Sequence, residues 1–419
     1  MKNLLILIFL FSTCLFAQEQ QKKQEIVTKR IYTTKYIGQQ EAPVIDGLLD
    51  DASWNIVEWD GDFVEWRPDE NTPPHQQTKF KIVYDKKNIY VGVRLYDKQP
   101  DSIVKRLSRR DGFAGDWIEI NFDSYHDLRS GFSFNVTAVG VKGDEFISNN
   151  GNNWDDSWNP IWYAKTNIDE QGWTAEMKIP LSQLRFGKAK EQIWGLQLNR
   201  RIFRKEERSL WQRVPQDSPG WISELGELHG LIDLEPQKQL EIQPFTVTKA
   251  DNYPREDGNP FRDGRDSELN GGLDAKIGIT NDLTLDLTVN PDFGQVEADP
   301  SAIALDGFEI FFREQRPFFV ENNNIFDYRF SRSNAGDTFG SDNLFFSRRI
   351  GRSPQGFPET EDNEYVDQPL NTTILGAAKF SGKTKNGWSI GVLESVTAKE
   401  YAEIAEVDDG EVVERREEV

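Results

Sequence analysis

Pro43–Trp54, PVIDGLLDDASW, and Gly115–Asp123, GDWIEINFD, decide how this chain is read. In the first block Asp46-Gly47 is a turn signal that leads into an acidic, tryptophan-ended segment. In the second, Trp117, Glu119 and Asn121 alternate with Ile118, Ile120 and Phe122, the period of a strand with two unlike faces. An apolar face of that kind belongs in a core, while the other face carries an indole, a carboxyl and an amide.

Working outward, Phe80–Tyr84 and Ile89–Tyr96 alternate around the polar turn Asp85–Asn88 and predict a β-hairpin. Further strands are predicted at Trp117–Phe122, Phe132–Val136, Trp173–Ile179 and Ile193–Arg201, with a brief helical turn at Pro180–Leu184. Short strands separated by Gly, Asn, Asp and Pro clusters point to an all-β chain with a β-sandwich over residues 38–235.

The start of the chain reads as a targeting segment, residues 1–17. Lys2 supplies the positive region, Leu4–Phe11 the apolar core, and Leu15-Phe16-Ala17 a cleavage site before Gln18. Acylation of Cys14 is the competing reading, but Thr13 fits a lipid-attachment motif poorly. Residues 18–37 then read as a flexible, polar leader. With Cys14 the only cysteine, disulfides and thiol catalysis are excluded from the processed chain. A formal charge of −21 argues against nucleic acid, which requires a basic surface. Twelve tryptophans suit either sugar stacking or an aromatic girdle, and three histidines leave little for metal or triad chemistry.

The two opening blocks resemble the signature of the family 9 carbohydrate-binding modules, β-sandwiches that hold sugars. The resemblance implies a pair of aromatic rings that cover the C–H faces of a pyranose, with fixed polar groups reading its hydroxyls. Carried over, the first clamp ring falls at Phe113, where well-known sugar-binding members have Trp. The second falls at Trp221, in SPGWISELGEL. Glu119 matches an acidic residue of the family strand and Asn135, in GFSFN, an amide of the site. An arginine used by binding members falls at Ser133, so that contact is expected to be lost. Losing a central anchor costs on the order of 2 kcal/mol, more than tenfold in binding. Bland readings stand beside these: Phe113 as a loop aromatic packed on the sheet, and Glu119 as a side chain facing water.

Asn149–Trp158, NNGNNWDDSW, is a second candidate. Trp154, Trp158 and Asn153 could line a glycan groove, or the loop's oxygens could hold calcium, although the fixed carboxylate spacing of a calcium loop is missing. An Asx-rich turn capping the sandwich is the alternative. The sequence therefore names no metal and makes no cofactor certain, and calcium stays open.

The pattern changes after Leu234-Glu235-Pro236. Leu273–Ile279 and Leu283–Val289 alternate about an Asn281-Asp282 turn, and Thr373–Gly382 and Trp388–Thr397 about Lys385-Asn386-Gly387. Such alternation suits either ordinary half-buried strands or an outer-membrane barrel, apolar toward lipid. Trp388 would sit in the interfacial girdle. NPDFGQVEADP (290–300), FFREQRPFFVE (311–321) and FFSRRIGR (345–352) resemble the uncharacterised outer-membrane domain that commonly follows this binding module. Residues 236–419 are thus expected to supply the N-terminal strands of a barrel. Four strands cannot close one, and Glu403–Val419 reads as an acidic loop cut short, so the chain is expected to be the front of a longer protein or a truncated gene product. Arg313, Glu314, Arg316, Glu321, Arg348, Arg349 and Arg352 among phenylalanines suggest a packed plug or lumen network of paired charges.

No local motif singles out a catalytic carboxylate pair, and no nucleophile elbow or paired-histidine motif occurs. The sequence reading is therefore an exported, non-catalytic glycan-capture protein of the outer membrane. It binds an oligosaccharide or polysaccharide, and lipid through its barrel portion. The alternatives are a structural or transport component whose sandwich is a periplasmic plug or docking domain, and a glycoside hydrolase or its accessory.

Overall fold

The computed structural model describes residues 27–280, 283–291, 314, 316–320, 323–326, 344–361, 363–383, 388–408 and 411–419. The targeting segment with Cys14, both predicted hairpin turns (281–282 and 385–387), nearly all of NPDFGQVEADP, and Phe311–Arg313 with Glu321 lie outside the described residues.

The N-terminal half is a two-sheet sandwich. Its strands are β1 (Ile31–Thr33), β2 (Lys35–Tyr36), β3 (Val64–Arg67), β4 (Thr78–Tyr84), β5 (Asn88–Tyr96), β6 (Trp117–Asp123) and β7 (Gly131–Thr137). They continue with β8 (Lys142–Ser148), β9 (Asn153–Asp155), β10 (Tyr163–Asp169), β11 (Gly172–Pro180), β12 (Glu191–Ile202), β13 (Glu207–Leu210) and β14 (Gly226–Ile232). One sheet runs β1-β14-β12-β6-β7-β8-β9, with β13 and β3 continuing from β12; the other runs β10-β11-β5-β4-β2. Ile118, Ile120, Phe122, Phe134, Leu196 and Leu198 from the first sheet meet Phe80, Ile82, Val91, Val93, Trp173 and Met177 from the second in one apolar core. The period-two pattern forces this arrangement, because burying one face of each strand removes its alternate apolar residues from water.

PVIDGLLDDASW covers the back of the second sheet. Trp54 packs with Val83 and Tyr90 there, in a smaller apolar cluster of its own. The stretch read as a flexible leader up to residue 37 needs correcting. β1 pairs in parallel with β14 and β2 with β4, burying Tyr32 and Thr34. Those partners lie far away in sequence, so no local pattern announced them.

The C-terminal half is also all β. β15 (Leu240–Asn252), β16 (Arg265–Gly278), β17 (Leu283–Val289), β19 (Ile374–Lys383) and β20 (Ser389–Thr397) form an open antiparallel sheet in that order. β18 (Glu364–Asp367), β21 (Tyr401–Asp408) and β22 (Glu411–Glu418) form a second. No closed barrel occurs among the described residues. The acidic tail is not a loop, because Tyr401–Glu418 is a hairpin. Arg416–Glu403 and Arg415–Glu364 pairs, each 3.0 Å, offset its like charges.

The five-stranded sheet has its polarity reversed relative to a soluble sheet. Thr284, Asp286, Thr288, Lys379 and Ser381 are buried, whereas Leu240, Ile242, Leu269, Val289, Val392 and Val396 are exposed. Cross-strand register puts the apolar residues on one face: Leu273 faces Val289, Leu285 faces Phe380, and Phe380 faces Val392. On the polar face the Lys379 ammonium lies 3.8 Å from Asp286 and over the Phe318 ring. Glu314 and Arg316 pair at 2.7 Å, Ser347 Oγ donates to Glu314, and Arg316 stacks over Phe319. Of the charges in the arginine–phenylalanine stretch, Glu314 and Arg316 are thus paired.

Candidate functional site

The outward face of the first sheet carries the polar half of each strand, and the register fixes which side chains are neighbours. One row across the sheet reads Asn199, Glu119, Asn135, Gly143; the next reads Gln197, Asn121, Ser133, Glu145. Trp117 and Arg201 stand together in the row beyond.

Phe113 lies at one end of this floor. A β-carbon on Gly143 would lie 3.0 and 3.1 Å from its ring carbons, so the ring occupies space that only glycine leaves. Its ring meets Trp117 edge-on, with centroids 6.3 Å apart. Trp221 lies at the other end, where its Nε1 donates to Asn121 Oδ1 at 2.9 Å. Ordinary strand spacings put the Gly143 and Asn121 positions about 12 Å apart, with Asn135, Ser133 and Glu119 on the floor between.

The asparagine-rich loop builds the second wall. Trp221 N–H donates to Asn150 O at 2.8 Å, and the Asn150 amide exchanges hydrogen bonds with Ser223. Gly151, at φ +92°, lets the loop come so close that a β-carbon there would sit 2.4 Å from Trp221 Cβ. Trp154 and Trp66 flank Trp221 at 6.1 and 5.7 Å between centroids. Asn150 Oδ1 accepts from Ser223 N–H and Asp155 Oδ1 from Ser157, so those oxygens already act in holding the loop. Of the secondary candidates, Trp154 joins the wall. Asn153 is exposed and its amide donates to Ser148 Oγ, and Trp158 packs on the core side against Phe132 and Phe134.

Asn135 is 1 % exposed, yet neither its Oδ1 nor its Nδ2 has a partner among the described residues; nor does the Ser133 hydroxyl. Leaving a buried amide unmatched costs about 1–3 kcal/mol, and such groups recur where a ligand completes the set. Glu119 does not face water; it is buried and accepts from Asn121 Nδ2 at 2.8 Å. Burial raises its carboxyl, against the pull of Arg208. Glu145 is pushed up to about 8 by burial, reinforced by Glu119 and Asp156.

Two contributors escaped the sequence reading. Trp66 stands beside Trp221, and the Arg208 guanidinium lies between the Trp66 and Trp117 rings, 4.8 and 5.3 Å from their centroids. An arginine therefore does reach this face, from β13 rather than from position 133. Neither was singled out, because β3 and β13 are four-residue strands too short to show a period, and it is the distant β3–β13 pairing, beside the local β12–β13 hairpin, that brings Trp66 and Arg208 together.

Residues 45–208 match the family model described as carbohydrate family 9 binding domain-like, and residues 236–419 match a domain of unknown function, DUF5916. No curated protein matches. Among solved structures, a family 9 carbohydrate-binding module from Caldicellulosiruptor kristjanssonii is similar over 50% of this chain. It is 19% identical with a TM-score of 0.36, and was solved with glucose (97% of that chain covered) and with cellotriose (95%). A Bacteroides uniformis protein proposed to bind carbohydrate is 13% identical over 48% of this chain and 99% of its own, with a TM-score of 0.40. The chain thus joins a family 9 carbohydrate-binding-like β-sandwich to a second all-β region, the domain of unknown function.

Proposed function

We propose that this protein captures an oligosaccharide or polysaccharide without cleaving it, on the outward face of its larger sandwich sheet. The observation that carries the reading is the unmatched Asn135 amide, beside the Ser133 hydroxyl and between the Phe113 and Trp221 rings. Apolar ring faces flanking fixed donors and acceptors suit a sugar, which is apolar on its faces and polar at its rim. Glu119 and Arg208 extend the polar floor. The carbohydrate family 9 match over residues 45–208 supports the same class of ligand.

The reading includes export and a place in the outer membrane, with the five-stranded sheet turned toward lipid. Its support is the exposed apolar face and the buried Asp286 and Lys379 on the other side.

Calorimetric titration of the detergent-purified chain with cello-, xylo-, manno- and malto-oligosaccharides tests capture. Saturable binding that Asn135→Ala abolishes, with no turnover of the sugar, is the expected result. No binding to any of them sinks the reading, and turnover would make the protein a hydrolase. Membrane fractionation of expressing cells tests location, and recovery in the soluble fraction would overturn it.

A second reading, a sandwich that plugs or docks rather than binds, draws on two observations. Trp221 is only 8 % exposed, and Ser157 and Asn159 of the sandwich share a cavity of about 170 Å³ with Asp286 and Lys379 of the sheet.

A further inference from the structure

β3 and β13 form a two-stranded ribbon whose sides carry different chemistry. Trp66 and Arg208 look toward the site described above. Glu65 and Glu207, their neighbours in sequence, point the other way by strand alternation. Both carboxylates are buried, with side chains 2% and 1% exposed. The loop after β3 folds back so that His75 meets them. Its Nδ1 lies 2.6 Å from Glu207 Oε2 and 3.8 Å from Glu65 Oε2, and one ligand atom from each residue falls within 4.8 Å of the others.

The main chain orients both acids. Asp69 N–H donates to Glu65 Oε1 at 2.9 Å and His75 N–H to Glu207 Oε1 at 3.1 Å. Each carboxylate therefore has one oxygen fixed and turns the other toward the imidazole, the kind of support that orients metal ligands. Arg200 is close enough to act on Glu207 electrostatically, but it gives its hydrogen bonds to Gln77 O, Thr78 Oγ1 and Tyr96 O. Two buried carboxylates thus converge on a single half-exposed imidazole.

We propose that Glu65, His75 and Glu207 bind a divalent cation of the zinc class. One nitrogen and two carboxylate oxygens form a three-ligand set, with a fourth position open on the solvent side of His75. Bonds near 2.1 Å in a tetrahedral site put ligand atoms about 3.4 Å apart, between the two His75 distances, and small side-chain adjustments bring the three ligand atoms to that spacing. Calcium is a poor fit, since it takes six to eight oxygens and this site offers two carboxylates and a nitrogen. The ion would tie the ribbon to its return loop and so hold Trp66 and Arg208 in place on the opposite side.

The test is titration of the untagged, full-length chain with zinc chloride, and separately with calcium chloride, by calorimetry and thermal melting. One zinc per chain and a raised Tm are expected, with binding weakened at least tenfold in His75→Ala and in Glu207→Gln. His229→Ala, at a histidine that pairs with Glu227 elsewhere, should bind zinc as the parent does. His75 is half-exposed, so its variant should fold even if Glu207→Gln does not. Absence of saturable zinc binding, binding unchanged by His75→Ala, or loss in His229→Ala instead would overturn the assignment. Calcium binding more tightly at the same residues would overturn it too.

Discussion

The indole Nε1 of Trp54 donates to Glu176 Oε1 at 3.0 Å, across 122 residues of sequence. The other oxygen of that carboxylate takes the N–H groups of Asp46 and Gly47, at 3.1 and 2.9 Å. One buried acid therefore anchors both ends of the Asp46–Trp54 segment to the back of the sandwich. Trp54→Phe leaves Glu176 Oε1 without its donor and vacates the part of the indole that packs on Gly92, so it should cost at least about 1–3 kcal/mol in a urea melt. No measurable loss would mean that the contact is not formed in solution.

Asn135→Ala separates a binding residue from a structural one. Its side-chain atoms have no partner among the described residues, so removing them should leave unfolding stability unchanged or slightly raised, while sugar affinity falls at least tenfold. Trp221→Ala should instead lower both, because the ring also packs with Ile222 and Leu225. Parallel melts and titrations of the two variants check this; equal loss of stability in both would count against the assignment.

Filling Gly143 should evict Phe113. In Gly143→Val the new side chain would occupy the space of the Phe113 ring, so binding should weaken on the order of tenfold while the core, on the other side of the strand, stays intact. Titration with circular dichroism as a folding control measures both.

Glu145 gives the fold a pH dependence of known sign. Its carboxyl sits at about 8 in the folded chain, above the ordinary 4.5, first through burial and then through Glu119 and Asp156. The unfolded state therefore ionises first. This group's contribution is fully present below about pH 4.5 and is lost as pH rises through about 8. Glu145→Gln should be more stable than the parent at pH 9, with the difference shrinking toward pH 5. A constant difference across denaturant melts at those pH values would sink the argument.

How much of this was legible depended on whether the partner was local. The alternation in GDWIEINFD is intrinsic to the strand, so β6 and its two faces could be read directly, and the β4–β5 hairpin likewise. β1 and β3 are three and four residues long and are strands only because distant strands accept them, while β13, four residues long, is half of a hairpin with β12 too short to show a period. Trp66 and Arg208 were missed with them. Glu119 was left open because alternation tells which face a residue takes, not what covers that face. The β21–β22 hairpin was hidden by charge, since cross-strand arginine–glutamate pairs make acceptable a sequence that reads as solvated.

The reversed polarity of the β15–β20 sheet bears on how the protein can be handled. Its two halves call for different solvents. Water drives the sandwich to close over its aromatic core, yet for Leu240, Ile242, Val392 and Val396 it is the poorer medium, and those side chains lose nothing when an amphiphile covers them. Diluting the unfolded chain into plain buffer should therefore return a native N-terminal half attached to a self-associating one. The choice of detergent, more than temperature or salt, would then set the yield.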